Sequence, residues 1–142
     1  MTKHFRLDHN AIQAVRPEVS PVRRRRGRRA YLSGLSAERA VAAEYERRGA
    51  DLIETRWRGQ GGEIDLIFLD RGVYVFCEVK QARSFDEAAE RLRPAQARRI
   101  HATASEYLGQ TPTGQLSEVR FDLALVDGVG RIDIREAEFS HF

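Results

Sequence analysis

A chain of 142 residues, 42% hydrophobic and 32% charged, is long enough for one domain with a buried core and too short for two comfortable ones. No apolar run approaches the roughly 20 residues of a bilayer span, and a single cysteine, Cys77, cannot build a disulfide framework or a thiolate metal site within one chain. The net charge of +3 conceals a division: residues 1–33 carry nine basic side chains against Asp8 and Glu18, a balance of +7, which leaves −4 for the remainder.

Residues 1–33 show no sustained periodicity, contain Pro17 and Pro21, and end in Arg23-Arg24-Arg25-Arg26-Gly27-Arg28-Arg29. They read as a flexible basic arm ahead of a domain over 34–142. Met1 to Val22 is broken by Asp8, His9, Asn10 and Glu18 and lacks the apolar stretch of a secretory signal, so the expected location is the cytoplasm. Arginine clusters neutralise phosphates irrespective of sequence, which makes Arg23, Arg24, Arg25 and Arg26 candidate nucleic-acid contacts. A solvated or partner-binding tail would have the same composition.

From Leu35 to Arg48 the pattern becomes helical. Ala37, Val41 and Tyr45 recur every four residues, Ser33 or Ser36 suits the start, and Gly49 suits the stop. Glu38 lies three, four and seven residues before Val41, Ala42 and Tyr45, on or beside the buried stripe. It is either an acid that reaches the sheet or a first-turn glutamate favoured by the helix dipole.

Three strands should follow, near Leu52 to Trp57, Glu63 to Leu69 and Val73 to Lys80; Asp70-Arg71-Gly72 turns the last two into a hairpin. A helical region resumes after Phe85 with Asp86 as its cap, breaks at Pro94, and restarts over Ala95 to Leu108 on the stripe Ala97, Ile100, Ala104, Tyr107 and Leu108. Val119 to Val126 alternates as a strand, and Asp127-Gly128 turns it into a short strand around Ile132 and Ile134. The coarse order is α-β-β-β-α-β-β.

If Arg71 and Gly72 are the two loop residues of the hairpin, paired positions sum to 143, Asp65 faces Glu78, and Glu63 faces Lys80. Strand alternation then brings Glu63, Asp65, Glu78 and Lys80 out on one face with Ile67, Leu69, Tyr74 and Phe76. Like charges directly opposite are destabilising unless neutralised, and a divalent cation would neutralise them. The alternative is a solvent-exposed strand end with a Glu63–Lys80 ion pair and no chemistry. Only Lys3 and Lys80 are lysine among 24 basic residues, which hints that position 80 uses a compact ammonium that guanidinium cannot replace. Carboxylates suit Mg²⁺, commonly held by one or two of them plus substrate phosphates.

Gly62-Glu63-Ile64-Asp65-Leu66-Ile67 and Val75-Phe76-Cys77-Glu78-Val79-Lys80, with Gly34-Leu35-Ser36-Ala37-Glu38 before and Arg120-Phe121-Asp122 after, resemble the YraN family of bacterial endonuclease-like proteins. That family is placed in the PD-(D/E)xK nuclease superfamily, near archaeal Holliday-junction resolvases. Over residues 30–139 the resemblance implies an α/β fold with a restriction-endonuclease-like αβββαβ core, its central mixed sheet flanked by helices, and an endonuclease dependent on Mg²⁺ or Mn²⁺ that acts on DNA, branched or repair intermediates included. It implies that Asp65, Glu78 and Glu38 bind metal, that Lys80 assists catalysis, and that Gln96 is a polar site residue on the second core helix. Arg58, Arg83 and Arg99 join the arginine run as weaker nucleic-acid contacts. The chain departs from the family at Ala82, with Arg83 adjacent, and at Ala95. A non-catalytic nucleic-acid-binding module, an RNA-directed nuclease and a homodimer are the open alternatives; no membrane partner is expected.

No histidine has ligand spacing, and His101 reads as an exposed helix residue. Trp57, between two arginines, reads as a core tryptophan in a strand, with base stacking as the alternative.

Overall fold

The computed structural model describes residues 21–141, with side chains from residue 34 onward. Helix α1 spans Pro21–Arg47, beginning well before the expected start near Leu35. Ser33 and Ser36 are therefore interior positions, not caps. Proline fits the first turn of a helix, where a missing N–H costs no bond, and arginine is a good helix former, so the arginine run continues the helix. Residues 1–20 and the side chains of Arg23 to Arg26 lie outside the described residues. At the other end Gly49, with φ 97°, lets the N–H of Ala50 reach back to the Tyr45 carbonyl at 3.1 Å, which closes the helix as the sequence suggested.

Five strands follow the expected bounds closely: β1 (Asp51–Arg58), β2 (Glu63–Asp70), β3 (Val73–Gln81), β4 (Glu118–Val126) and β5 (Ile132–Arg135). They lie side by side in chain order. All neighbours are antiparallel except β3 and β4. A parallel pair needs a long crossover; here it holds α2 (Phe85–Glu90) and α3 (Pro94–Leu108). Ser84, not Asp86, caps α2, since its Oγ accepts the Glu87 N–H at 3.1 Å.

The apolar stripes pack on opposite faces of this mixed sheet. Ala37, Val41, Ala42 and Tyr45 of α1 meet Leu66, Phe68, Val75 and Cys77, while Ala97, Ile100, Ala104 and Tyr107 of α3 meet Ile67, Phe76, Phe121 and Leu123. The fold is thus α/β, with one helical layer on each side. Cys77 is buried and free, as expected of a core residue. Trp57 also belongs to the core, edge-on to Tyr107 at 5.2 Å. His101 is not an exposed helix residue: it is half-buried, stacked on Phe121 at 3.8 Å, with Nε2 2.7 Å from the Phe139 carbonyl oxygen.

Asp122 on β4 ties the layers together. It is fully buried yet fully served: the Tyr45 hydroxyl donates to it at 2.7 Å, the Arg120 guanidinium at 2.9 and 3.1 Å, and the Ala137 N–H at 2.9 Å. Charge-assisted bonds of this kind offset the desolvation that burial imposes. No helix among the described residues is long and apolar enough to cross a membrane.

Candidate active site

The β2–β3 turn has φ 51° at Arg71 and 86° at Gly72, the left-handed pair of a two-residue hairpin loop. The register follows from it: paired positions sum to 143, from Asp70↔Val73 to Leu66↔Cys77. There the two strands part company. β2 continues beside β1, to Trp57↔Ile64 and Arg58↔Glu63, and β3 continues beside β4, to Gln81↔Val126. Asp65 and Glu78 are the first residues past the last β2–β3 pair, so the direct pairing expected for them becomes the mouth of a gap. Asp65 Oδ2 accepts the Val79 N–H at 2.9 Å, taking the place a partner-strand carbonyl would hold.

Strict alternation also lapses at this end of β2, because Ile64 packs with Ile67 on the α3 side. Asp65 is thereby set at the edge of the gap, where it influences acids on both sides of the sheet. On the α3 side the gap opens into a cleft of about 220 Å³ lined by Glu63, Asp65, Glu78, Gln96, Arg99 and Thr103. The loop between β1 and β2 roofs one end. Its Gln60 N–H donates to both Glu106 carboxylate oxygens, at 3.0 and 3.2 Å, and a Cβ on Gly59 would lie 2.4 Å from that carboxylate.

Electrostatically the centre is unfavourable as it stands. Glu78, 5% exposed, is pushed well above the usual carboxylate range by burial first and by the Asp65 charge second, with Lys80 opposing. Asp65 is also raised by burial, against the Val79 N–H and the hydrogen bond to Glu78. The two adjacent acids therefore hold their protons more tightly than isolated ones would. Lys80 Nζ lies 3.3 Å from Glu78 Oε2, and Gln96 Nε2 donates to the same oxygen at 2.8 Å.

The sequence reading placed Asp65, Glu78, Lys80 and Gln96 in one site, and they meet there. Arg99 lines the cleft. Arg58 stands at the rim, 2.9 Å from Glu63, so Glu63 pairs with Arg58 rather than with Lys80. Arg83 is mostly exposed and pairs with Glu87, away from the cleft lining. Glu38 points toward the sheet but is held by Arg56, whose Nε and Nη2 donate at 3.1 and 3.2 Å to its two oxygens. Among the described residues no three of His, Cys, Asp and Glu converge on a common ion position. Two carboxylates do converge, and two fit Mg²⁺, which completes its shell with waters and phosphate oxygens.

Three participants escaped the sequence reading. Arg56 carries no periodicity signal; its φ of 49° takes it off the strand pattern, three residues past the irregular register between Leu52 and Glu54. Glu106 serves a loop 46 residues away. Thr103, three residues after Ile100, lay on the buried stripe and was recoverable from spacing.

Residues 37–126 match the uncharacterised protein family UPF0102. A UPF0102 protein of Ruegeria pomeroyi is 53% identical over 116 residues, covering 82% of this chain and 94% of its own length. One of Roseobacter denitrificans is 51% identical over 114 residues, 80% of this chain and 88% of its own, and one of Cereibacter sphaeroides is 48% identical over 114 residues, 80% and 97%.

Proposed function

We propose that this chain, which belongs to the uncharacterised protein family UPF0102, is a divalent-cation-dependent endonuclease that hydrolyses phosphodiester bonds of DNA in the cytoplasm. The observation that carries this reading is the meeting of a half-buried carboxylate, a buried carboxylate and a lysine, Asp65, Glu78 and Lys80, at the point where β2 and β3 separate above a cleft. The resemblance of the GEIDLI and EVK segments to PD-(D/E)xK nucleases supports it, as does the α-β-β-β-α-β order.

Asp65 and Glu78 would hold Mg²⁺ or Mn²⁺. When bound, such a cation polarises the phosphodiester and lowers the pKa of water. Gln96 fixes the carboxylate plane of Glu78 by its 2.8 Å bond. Lys80 offsets the negative charge that grows on the phosphate and orients the attacking water. Arg99 and Arg58 supply the cleft with positive charge for the flanking phosphates.

A second reading, a non-catalytic nucleic-acid-binding module, is favoured by the arginine run at Arg23 to Arg26. The two separate in one panel: the purified protein with Mg²⁺ or Mn²⁺ and linear, nicked and branched DNA, alongside RNA. Cation-dependent cutting of DNA is the expected result. Binding without cutting of any substrate favours the module, and preferential cutting of RNA replaces the substrate.

A further inference from the structure

We propose that the connector between α2 and α3, together with the first turns of α3, seats the phosphate backbone of duplex DNA at the lip of the cleft, with Arg91, Arg93 and Arg98 as its contacts. The inference rests on the nuclease reading above and deepens it, because it gives the substrate strand a side of entry.

Elsewhere on the domain, exposed arginines other than Arg39 pair with a nearby acid, as Arg47 and Arg48 do with Glu44 and Arg83 does with Glu87. Arg91, Arg93, Arg98 and Arg99 are exposed and have no acid partner among the described residues. They fall within one short stretch, so like charges stand together unneutralised, a repulsion that a polyanion relieves. The stretch is held in place. Leu92 packs against the core on the α3 side, the Arg91 N–H donates to the Ala88 carbonyl at 3.1 Å, and the Arg93 carbonyl accepts the Ala97 N–H at 3.0 Å. Arg91 and Arg93 are thereby fixed outward on either side of an inward leucine. On α3, Arg98 and Arg99 share a face with Ala95 and Ala102, both exposed, and such small side chains let a sugar-phosphate backbone come close.

The same turns border the candidate active site, since Gln96 and Arg99 line the cleft and Gln96 holds Glu78. A strand whose phosphate lies at Asp65 and Glu78 and that leaves the cleft past Arg99 meets Arg98 and the connector next. No aromatic side chain accompanies the arginines from Arg91 to Arg99, so the surface offers no stacking platform for unpaired bases. It suits a backbone whose bases are paired.

Salt-dependent binding of the full chain to a DNA duplex, in EDTA so that nothing is cut, tests the seat. The seat variant combines Arg91→Gln, Arg93→Gln and Arg98→Gln. A control combines Arg47→Gln, Arg48→Gln and Arg71→Gln, which removes the same charge at the hairpin end of the sheet, away from the gap. The seat variant should melt as wild type does, bind the duplex with a salt slope shallower by up to roughly 2–3, and bind on the order of 10²-fold more weakly at about 0.1 M salt. The control should keep the wild-type slope. With Mg²⁺ or Mn²⁺ the seat variant should need more protein to reach half its maximal single-turnover rate while that maximal rate is retained, a split that loss of a catalytic group does not give. An unchanged slope in the seat variant, an equal loss in the control, tighter binding of single strands than of duplex, or no duplex binding by wild type overturns the seat. A wild type that binds through these arginines yet cuts nothing supports the seat and overturns the nuclease reading alone; one that cuts while the seat variant keeps its slope overturns the seat alone.

Discussion

At the residue scale, Asp65, Glu78 and Glu38 are acids whose ordinary ionisation the fold opposes, and the opposition has a definite sign. Glu38 is raised from 4.5 to about 7 by burial and then by the Asp65 charge, against Arg56; Asp65 and Glu78 are raised by burial first. An acid raised in the folded chain keeps its proton over a range where the unfolded chain has lost it. Its stabilisation is complete below the unfolded value and disappears as pH rises to the folded one. The metal-free protein should thus melt at a higher temperature at pH 5 than at pH 8. Glu38 alone accounts for on the order of 3 kcal/mol across that window. Saturating Mn²⁺ should restore most of the loss at pH 8; a melting temperature that stays level or climbs from pH 5 to pH 8 without metal contradicts these shifts. Glu78→Gln keeps an acceptor for Gln96 and Lys80 while removing one charge, so at pH 8 it should raise metal-free stability by about 1 kcal/mol in urea unfolding. Asp65, Glu78 and Lys80 were legible in the sequence because turn chemistry fixes register and register fixes neighbours. The Arg56 clamp was not, since a positive φ at a non-glycine residue leaves no trace in periodicity.

At the element scale, the site exists because β2 and β3 are paired near their turn and separated beyond Leu66 and Cys77. Each departing end is held by its other neighbour, β1 or β4. The hairpin, the two core helices and the strand bounds could all be read from local pattern. The separation could not, because it depends on Ile64 turning to the α3 side and on a loop anchored by Glu106. Nor could the early start of α1, where arginine's helical preference competes with charge repulsion that the sequence alone does not weigh. The opposite end of α1 is fastened to β4 through Tyr45 and Asp122. Tyr45→Phe removes one of four donors to a fully buried carboxylate. A loss of about 1–2 kcal/mol in urea unfolding is expected, with cation-dependent cleavage retained, since the bond lies away from the cleft. A larger fall in cleavage than in stability would mean that α1 is positioned by this bond.

At the scale of the whole molecule, charge is divided between a basic N-terminal stretch and a domain of net negative charge. Under the proposed function a polyanion would meet arginines at two places, the run at Arg23 to Arg26 and the cleft, which Arg99 lines and Arg58 borders through Glu63. Each phosphate contact steepens the salt dependence of binding by about 0.9 in slope on duplex DNA. Replacing Arg23, Arg24, Arg25 and Arg26 by glutamine, which preserves helix propensity, should weaken DNA binding uniformly across sequences and make the slope shallower by up to roughly 3–4. An unchanged slope would assign the arginine run to another task. The proposed function puts the chemistry in the domain, so its two carboxylates should be needed even where binding is intact. The most direct measurement is single-turnover cleavage, with Mg²⁺ or Mn²⁺, of the DNA substrate that wild type cuts best, compared among wild type, Asp65→Asn and Glu78→Gln at saturating protein. Cation-dependent cutting by wild type, and rates lower by on the order of 10²–10³ in both variants with DNA affinity retained, is the predicted result. Wild type that cuts nothing, or variants that cut as fast as wild type, would contradict the assignment of the Asp65–Glu78 centre.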